Sequence, residues 1–269
     1  MERNSPAYPV LQRVQKMSLF AGMVALGLCA VGAALDLEQF FRSYLVAYLF
    51  WIGITLGCLT IVMMHSLTGG AWGVVTRRML EAGAQTIGLM AVLFVPLALG
   101  ARHLYGWLEA GAHAADRHPY LNAPFFFFRA ALYFGCWLLL AYFLPQWSRE
   151  RDETADSKLA RKIRLLSAPG LILYVITATF ASIDWVMSLE PHWRSTIFGV
   201  LFMGGQVLSA CAFVIVVAAL LARRQPLADR IASEHFHDLG NLLLSFVMLW
   251  AYFAFSQYLI IWSGNLPDE

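Results

Sequence analysis

Two charged residues, Arg129 and Asp184, interrupt long apolar stretches and are the strongest candidates for chemistry in this sequence. Ionisable groups inside a membrane span are costly, so they usually pair with each other or mark a functional site. Counted along their predicted helices at 1.5 Å per residue, both lie roughly 7–10 Å below the same membrane boundary. The matched depth predicts an ion pair. Two interpretations stay open: a structural tie between two helices, or a polar pocket for a headgroup or a proton.

The turn that follows Asp184 adds two candidates to this site. Two tryptophans and a proline mark the point where the helix leaves the membrane, since tryptophan concentrates at membrane–water interfaces. Glu190 and His192 lie in this turn. They join Arg129 and Asp184 as candidate residues.

A polar stripe along the last apolar segment forms a second candidate site. At 100° per residue, its members fall within one helical sector of about 60°. They are Asp238, Asn241, Ser245, Tyr252 and Ser256. The stripe could supply hydrogen bonds between helices or a hydrated proton path. His65 and Glu81 lie near the ends of other apolar segments, where they could feed such a path or cap an interface.

The histidines and cysteines argue against a bound metal or redox cofactor. His103, His113 and His118 share no helical face at these spacings, so we predict no metal site. Only His65 falls near a span, whereas bis-histidine haem needs paired histidines deep in facing helices. The four cysteines form no C-x-x-C pair. The last span has no lysine for a Schiff base, which excludes a retinal protein.

The composition is that of a membrane protein. The chain has 269 residues, 59% of them hydrophobic and 13% charged, whereas soluble domains carry about a quarter charged residues. Its net charge of +2 is too small to indicate nucleic-acid binding. Seven segments reach the roughly 20 apolar residues that a spanning helix needs. They cover about 18–35, 43–64, 80–100, 123–144, 165–188, 196–221 and 240–263.

These segments predict an all-α membrane bundle over residues 18–263, flanked by residues 1–17 and 264–269. Gly53 and Gly57 form a G-x-x-x-G pattern, which predicts close helix packing. Of the 19 Lys and Arg residues, 14 lie in segments on the same side of the membrane as the N-terminus and 4 lie in segments on the other side. The remaining one, Arg129, lies inside a span. Positively charged loops face the cytoplasm, so we expect the N-terminus inside and the C-terminal end outside.

Four stretches resemble the F subunits of bacterial alternative complex III, a quinol:cytochrome c oxidoreductase. These subunits belong to the NrfD-like, or polysulfide-reductase-C-like, family of membrane proteins. The stretches are Glu38–Gly73 (EQFFRSYLVAYLFWIGITLGCLTIVMMHSLTGGAWG), His118–Phe134 (HPYLNAPFFFFRAALYF), Ser182–Gly199 (SIDWVMSLEPHWRSTIFG) and His237–Glu269 (HDLGNLLLSFVMLWAYFAFSQYLIIWSGNLPDE).

The resemblance implies a multi-pass protein of the bacterial inner membrane, with residues 264–269 on the periplasmic side. Family members have about ten spans and continue beyond the stretch matching Asn265–Glu269. We therefore expect an NrfD-like bundle of seven spans that lacks the last three helices.

The resemblance also implies a role in a respiratory or photosynthetic electron-transport chain. The implied partners are an NrfD-like C subunit, an iron–sulfur subunit, multihaem cytochrome c subunits and membrane lipids. The chain itself would hold no redox centre, although quinol or menaquinol could bind at or near it. It would support quinol oxidation by the sister subunit and contribute to proton translocation.

Two alternatives stay open. In the first, the chain is itself the quinol-binding subunit, with the headgroup near Arg129 and Asp184. In the second, it is a small-solute transporter, which should show inverted repeats and broken helices at the midplane. Neither feature is clear in the sequence.

Overall fold

A computed structural model describes residues 8–108, 120–154, 156–190, 193, 195–222 and 232–265. Over these ranges the chain forms nine α-helices and two short 3-10 helices, with no strand. The α-helices are α1 (Tyr8–Leu35), α2 (Leu37–Thr68), α3 (Ala71–Gln85), α4 (Ile87–Leu99), α5 (Ala101–Leu104), α6 (Ala123–Thr154), α7 (Ser157–Trp185), α8 (Phe198–Ala222) and α9 (Ser233–Gly264). The 3-10 helices cover Gly106–Leu108 and Met187–Leu189.

Seven helical stretches of the described chain are long and apolar enough to cross a membrane. They are Gln12–Leu35, Leu37–Thr68, Val75–Leu99, Ala123–Thr154, Ser157–Leu189, Phe198–Ala222 and Ser233–Gly264. The predicted all-α architecture with seven apolar spans is therefore confirmed. Several helices are longer than their predicted spans, because polar residues continue the helix beyond the apolar segment. The chain is a multi-pass membrane protein.

Short polar residues and glycines set the ends of the spans. Asp36 begins α2 by accepting a 3.0 Å hydrogen bond from the backbone N–H of Gln39, and Asp156 begins α7 in the same way. Side-chain oxygens at this position satisfy N–H groups that have no partner within the helix. After α2, Gly69 and Gly70 take positive φ values of 73° and 109°, which glycine adopts without steric cost. The chain can therefore reverse directly into α3.

The third span is built from two helices, α3 and α4, that meet at Thr86. The Thr86 hydroxyl donates to the Gly83 carbonyl at 2.7 Å and lies 2.8 Å from the Thr55 hydroxyl of α2. Threonine hydroxyls can satisfy backbone groups where a membrane helix is interrupted. Pro96, in contrast, lies inside α4. The interruption is therefore stabilised by hydroxyl groups and does not arise at a proline.

Helix α2 lies at the centre of the bundle, and α1 and α9 lie at its edge. In the most apolar 18-residue window of each helix, 72% of α2 is buried, compared with none of α1 or α9. The predicted glycine packing is present where α2 meets α8. A Cβ atom at Gly57 would lie 2.2 Å from the backbone oxygen of Gln206 and 2.6 Å from the Cβ of Ala210. Only a residue without a side chain permits this approach.

Candidate buried ion-pair site

Arg129 of α6 and Asp184 of α7 form a bidentate ion pair inside the bundle. The guanidinium Nε donates to Oδ2 of the carboxylate at 2.8 Å, and Nη2 donates to Oδ1 at 2.7 Å. Arg129 is 7% exposed and Asp184 is 0% exposed. The ion pair that the matched depths predicted is therefore present. It joins the N-terminal part of α6 to the C-terminal end of α7.

Further polar contacts complete the coordination of both charges. The Tyr133 hydroxyl donates to Oδ2 of Asp184 at 2.8 Å. Nη1 of Arg129 donates to the backbone carbonyl of Tyr120 at 2.9 Å. The guanidinium carbon also lies 3.9 Å from the ring centre of Tyr120 and 4.4 Å from that of Phe125, which are cation–π distances. A buried ion pair is tolerable only when its remaining hydrogen-bonding capacity is satisfied in this way.

Aromatic side chains surround the pair and exclude water from it. Trp185, next to Asp184 in the chain, is 2% exposed and lies at the centre of this cluster. Its ring centre lies 5.1–6.3 Å from the ring centres of Tyr48, Phe94, Tyr133, Phe134 and Trp137. The Tyr105 hydroxyl donates to the Trp185 backbone carbonyl at 3.0 Å. Helices α2, α4, α6 and α7 therefore meet around the site.

Three buried donors near this end of the bundle have no hydrogen-bond partner in the described part of the chain. They are the Tyr120 hydroxyl and the indole N–H groups of Trp107 and Trp185. Burial raises the pKa of the Tyr120 phenol, and the Asp184 carboxylate raises it further. Burial and Asp184 raise the pKa of Tyr105 in the same order. Both phenols therefore stay protonated at neutral pH and act as donors. The Tyr105 hydroxyl already donates to the Trp185 carbonyl, whereas the Tyr120 hydroxyl could donate to a further carbonyl or anionic oxygen.

The other two predicted residues of this site, Glu190 and His192, are not seen in contact with the ion pair. Glu190 follows the 3-10 helix Met187–Leu189 and is exposed, and no side-chain contact in the described residues joins it to Arg129 or Asp184. His192 lies outside the described residues. The described chain contains no group of three His, Cys, Asp or Glu side chains placed to hold a metal ion.

Glu81 and His65 occupy different settings at the opposite end of the bundle. Glu81 is 2% exposed, and one carboxylate oxygen accepts a 2.7 Å hydrogen bond from Arg78. Arg77 and Arg78 both pair with Asp152 near the end of α6, so this network links α3 to α6. His65 is half-buried, and its Nε2 lies 3.1 Å from the Gly70 carbonyl.

The polar stripe on α9 faces away from the rest of the described chain. Asp238, Asn241, Ser245 and Tyr252 are exposed, and Ser256 is half-buried. The Ser245 hydroxyl donates to a carbonyl of its own helix, Asn241 O, at 2.8 Å. Within the described residues, no stripe side chain is seen to hydrogen-bond another helix. The stripe therefore supplies no side-chain hydrogen bonds between the described helices.

Gln257 of α9, which lies off the stripe, does form a hydrogen bond to a distant segment of the chain. Its amide donates to the Ser195 hydroxyl at 3.1 Å.

The sequence prediction missed several residues of these sites. At the ion pair they are Tyr133, Tyr120 and Tyr105, and at the opposite end they are Arg77, Arg78 and Asp152. Tyr133 had a detectable signal, because it lies four residues after Arg129 and residues at this spacing share a helix face. Arg77 and Arg78 had the same kind of signal, because they lie four and three residues before Glu81 on α3. Tyr105, Tyr120 and Asp152 lie outside the helix of the charge that they contact, and sequence spacing carries no information about them.

The fold and the site together define a multi-pass helical membrane protein with a buried, fully coordinated ion pair. Neither a scan against protein-family models nor a search of curated proteins gives a match for this chain.

Proposed function

We propose that this chain is a membrane subunit of a quinol:cytochrome c oxidoreductase of the alternative complex III type. It would lie in a bacterial inner membrane, with its N-terminus in the cytoplasm and residues 264–269 on the periplasmic side. Its partners would be an NrfD-like C subunit, an iron–sulfur subunit and multihaem cytochrome c subunits. The chain would carry no redox centre of its own.

One observation carries this proposal: three of the four family-like stretches meet at one site. His118–Phe134 contributes Arg129, and Ser182–Gly199 contributes Asp184. Glu38–Gly73 contributes Tyr48, whose ring centre lies 6.3 Å from that of Trp185. Segments that are far apart in the sequence and share a resemblance to one family therefore build a common centre. This convergence favours a family-specific role over a chance likeness between apolar helices.

The coordination of the pair favours a supporting role for this subunit. Each oxygen of Asp184 already accepts a hydrogen bond from Arg129, and one also accepts from Tyr133. Neither charge needs a substrate to complete it. We therefore assign the pair to holding α6 and α7 together at the periplasmic end, where the resemblance implies that the redox subunits dock.

A contribution to proton movement is part of the proposal, with Glu81 as its best-placed group. In the proposed orientation Glu81 is buried at the cytoplasmic end. Its second carboxylate oxygen lies 3.8 Å from Arg77 Nε and has no hydrogen-bond partner in the described chain. The α9 stripe could line a proton path only between α9 and another protein, because it faces outward. A Glu81→Gln variant should lower the proton-to-electron ratio of the assembled complex without loss of electron transfer.

A second candidate is that this chain binds quinol itself. The unpartnered donors Tyr120 OH, Trp107 Nε1 and Trp185 Nε1 favour it, because quinone and quinol oxygens accept hydrogen bonds. A Tyr120→Phe variant should then raise the KM for quinol while leaving kcat nearly unchanged. Tyr142→Phe is the matched control, since Tyr142 is 62% exposed and lies on α6 about 20 Å along the helix from Arg129.

Co-purification tests the main proposal. The chain carries an affinity tag at its N-terminus and is extracted from its native membrane in a mild detergent. We expect haem c absorbance and quinol:cytochrome c activity to co-purify with the tag. A homogeneous preparation without haem or activity would overturn the proposal and favour the transporter alternative, which uptake into proteoliposomes would then test.

A further inference from the structure

One sector of α9 carries seven polar side chains and one apolar side chain, Leu259, and makes no side-chain hydrogen bond to another helix of the described chain. On the helical wheel, Glu234 and Ser263 fall in the same sector of about 60° as the five stripe residues. We call this face the α9 seam. Its members are Glu234, Asp238, Asn241, Ser245, Tyr252, Ser256 and Ser263, and all except the half-buried Ser256 are exposed.

A neighbouring face of α9 packs against the bundle. Leu239 is 4% exposed, and Leu242, Leu243 and Phe246 contact the hydrophobic core. These residues lie about 100–200° around the helix from Asn241, so the seam, at 0–60°, lies beside the packed face and outside it. The outward direction of the seam is therefore fixed by the packing of α9 itself.

Lipid is a poor neighbour for this seam. Tyr252 lies about 18 Å along the helix from residue 240, near the middle of a hydrocarbon core of about 30 Å. Tyrosine is favoured at the membrane interfaces, where its hydroxyl reaches water. Tyr252 is 64% exposed at mid-span, where lipid chains offer no hydrogen-bond partner.

Helix α1 shows what a lipid-facing helix of this chain looks like. It is as peripheral as α9, with none of its most apolar window buried. Its exposed side chains at mid-helix are apolar, including Phe20 at 66% and Leu28 at 68% exposure. Helix α9 also exposes apolar side chains, such as Leu244 at 60% and Met248 at 64%, but it adds exposed polar side chains within its span, Ser245 and Tyr252, where α1 has none between residues 19 and 35. This polar component favours a protein neighbour for that sector of α9.

The acidic residues at one end of the seam indicate which kind of partner can bind there. Glu234 and Asp238 lie at the cytoplasmic end in the proposed orientation. A second copy of the chain, related by a two-fold axis along the membrane normal, would bring these acidic residues together and be repelled. An anionic lipid surface would be repelled as well. A different transmembrane helix normally carries Lys or Arg at its cytoplasmic end and would be attracted.

We propose that the α9 seam binds a transmembrane helix of a second polypeptide. That helix carries a basic residue opposite Glu234 and Asp238, and hydrogen-bonding side chains opposite Asn241 and Tyr252. Interhelical hydrogen bonds and small side chains such as Ser245 and Ser256 support this kind of packing in membranes. The inference does not depend on the proposed electron-transport role.

Site-specific photocrosslinking in the native membrane tests this inference. A benzophenone amino acid replaces Tyr252, and the matched control places it at Phe20 of α1. We expect one defined protein adduct from position 252 and lipid adducts alone from position 20. Mass spectrometry should map the adduct to a transmembrane segment of another polypeptide, with Lys or Arg near its cytoplasmic end.

Charge reversal then separates a specific partner from chance proximity. With the crosslinker at position 252, we expect Glu234→Lys with Asp238→Lys to lower the adduct yield by about tenfold, because juxtaposed like charges suppress pairing. Glu234→Asp with Asp238→Glu should preserve the yield. Both pairs of changes lie on the exposed face, and an unchanged unfolding transition in detergent would confirm that the fold is intact.

Several results would overturn the inference: a self-adduct, an adduct with lipid alone, an adduct outside any membrane segment, or a yield indifferent to charge reversal. The proposed function can be refuted while this inference stands. A seam partner found in a preparation without haem c would keep this inference and remove the electron-transport role.

Discussion

The Arg129–Asp184 pair makes the sharpest prediction about stability. Arg129→Leu leaves a carboxylate that is 0% exposed, with Tyr133 as its remaining side-chain donor among the described contacts. Asp184→Leu leaves a guanidinium that is 7% exposed, held by the Tyr120 carbonyl and ring. Removing one partner of a buried pair costs about 3–5 kcal/mol. We expect each single change to lower the free energy of unfolding by this amount.

The double variant should cost much less than the sum of the two single changes. Arg129→Leu combined with Asp184→Leu removes both buried charges. It leaves the Tyr133 hydroxyl and the Tyr120 carbonyl without these partners, at about 1–3 kcal/mol each. The two single costs add to roughly 6–10 kcal/mol and the double variant costs roughly 2–6 kcal/mol, so the midpoints give an interaction energy of about 4 kcal/mol.

Unfolding by sodium dodecyl sulfate titration in mixed micelles would measure all four proteins of this cycle. The matched control is the cycle at Arg42 and Glu38, an ion pair with side chains 64% and 60% exposed. Exposed pairs contribute about 0–1 kcal/mol, so this control cycle should be nearly additive. Additive costs at Arg129 and Asp184 as well would refute the claim that the buried pair stabilises the fold.

Three further predictions concern topology, packing and cofactors. In a cysteine-free background, Cys at Asp156 should react with a membrane-impermeant reagent from the cytoplasmic side and Cys at Ala112 from the other side; the reverse pattern would contradict the proposed orientation. Gly57→Ala should destabilise the fold by about 1–3 kcal/mol, because its Cβ would overlap the Gln206 carbonyl. Gly88→Ala should be neutral in the same unfolding titration, since nothing lies within 4 Å of its Cβ. The chain purified free of partners should show no haem Soret band, and a b-type spectrum that stays with it would contradict the predicted absence of redox centres.

The buried pair could be predicted from the sequence because depth in a membrane is a simple function of position. A helix rises 1.5 Å per residue, so distance from the polar end of a span places a charge relative to the bilayer. Arg129 and Asp184 gave the same depth, and few other charges occur inside the spans. The cost of leaving either charge alone in lipid made pairing the favoured outcome.

The surroundings of the pair could not be predicted in the same way. Whether the Tyr120 carbonyl reaches Arg129 depends on how the chain returns to the membrane before α6, and no periodic pattern encodes this. The link from Arg78 on α3 to Asp152 on α6 likewise depends on which helices are neighbours. Residues in charged helix ends have many available partners, so the sequence leaves their pairing open.

The α9 stripe shows a different limit of periodicity. The spacing of Asn241, Ser245 and Tyr252 correctly places them on one face of a helix. It does not say whether that face meets the bundle or points away from it. The apolar residues on the other side, Leu239 among them, pack against the core and turn the stripe outward. Most of the α9 surface is apolar, so hydrophobicity alone did not distinguish its two faces.

The reach of Arg129 has a mechanical consequence. Tyr120 lies before the first residue of α6, yet its backbone carbonyl is held by the same guanidinium that grips Asp184 on α7. A load applied to the extramembrane segment before α6 is therefore shared at once with a second helix and does not travel only along the backbone of the first. Lysine could keep the charge but could not span these three acceptors with a rigid planar fork. The attachment of this segment to α7 therefore depends on the shape of the Arg129 side chain as much as on its charge.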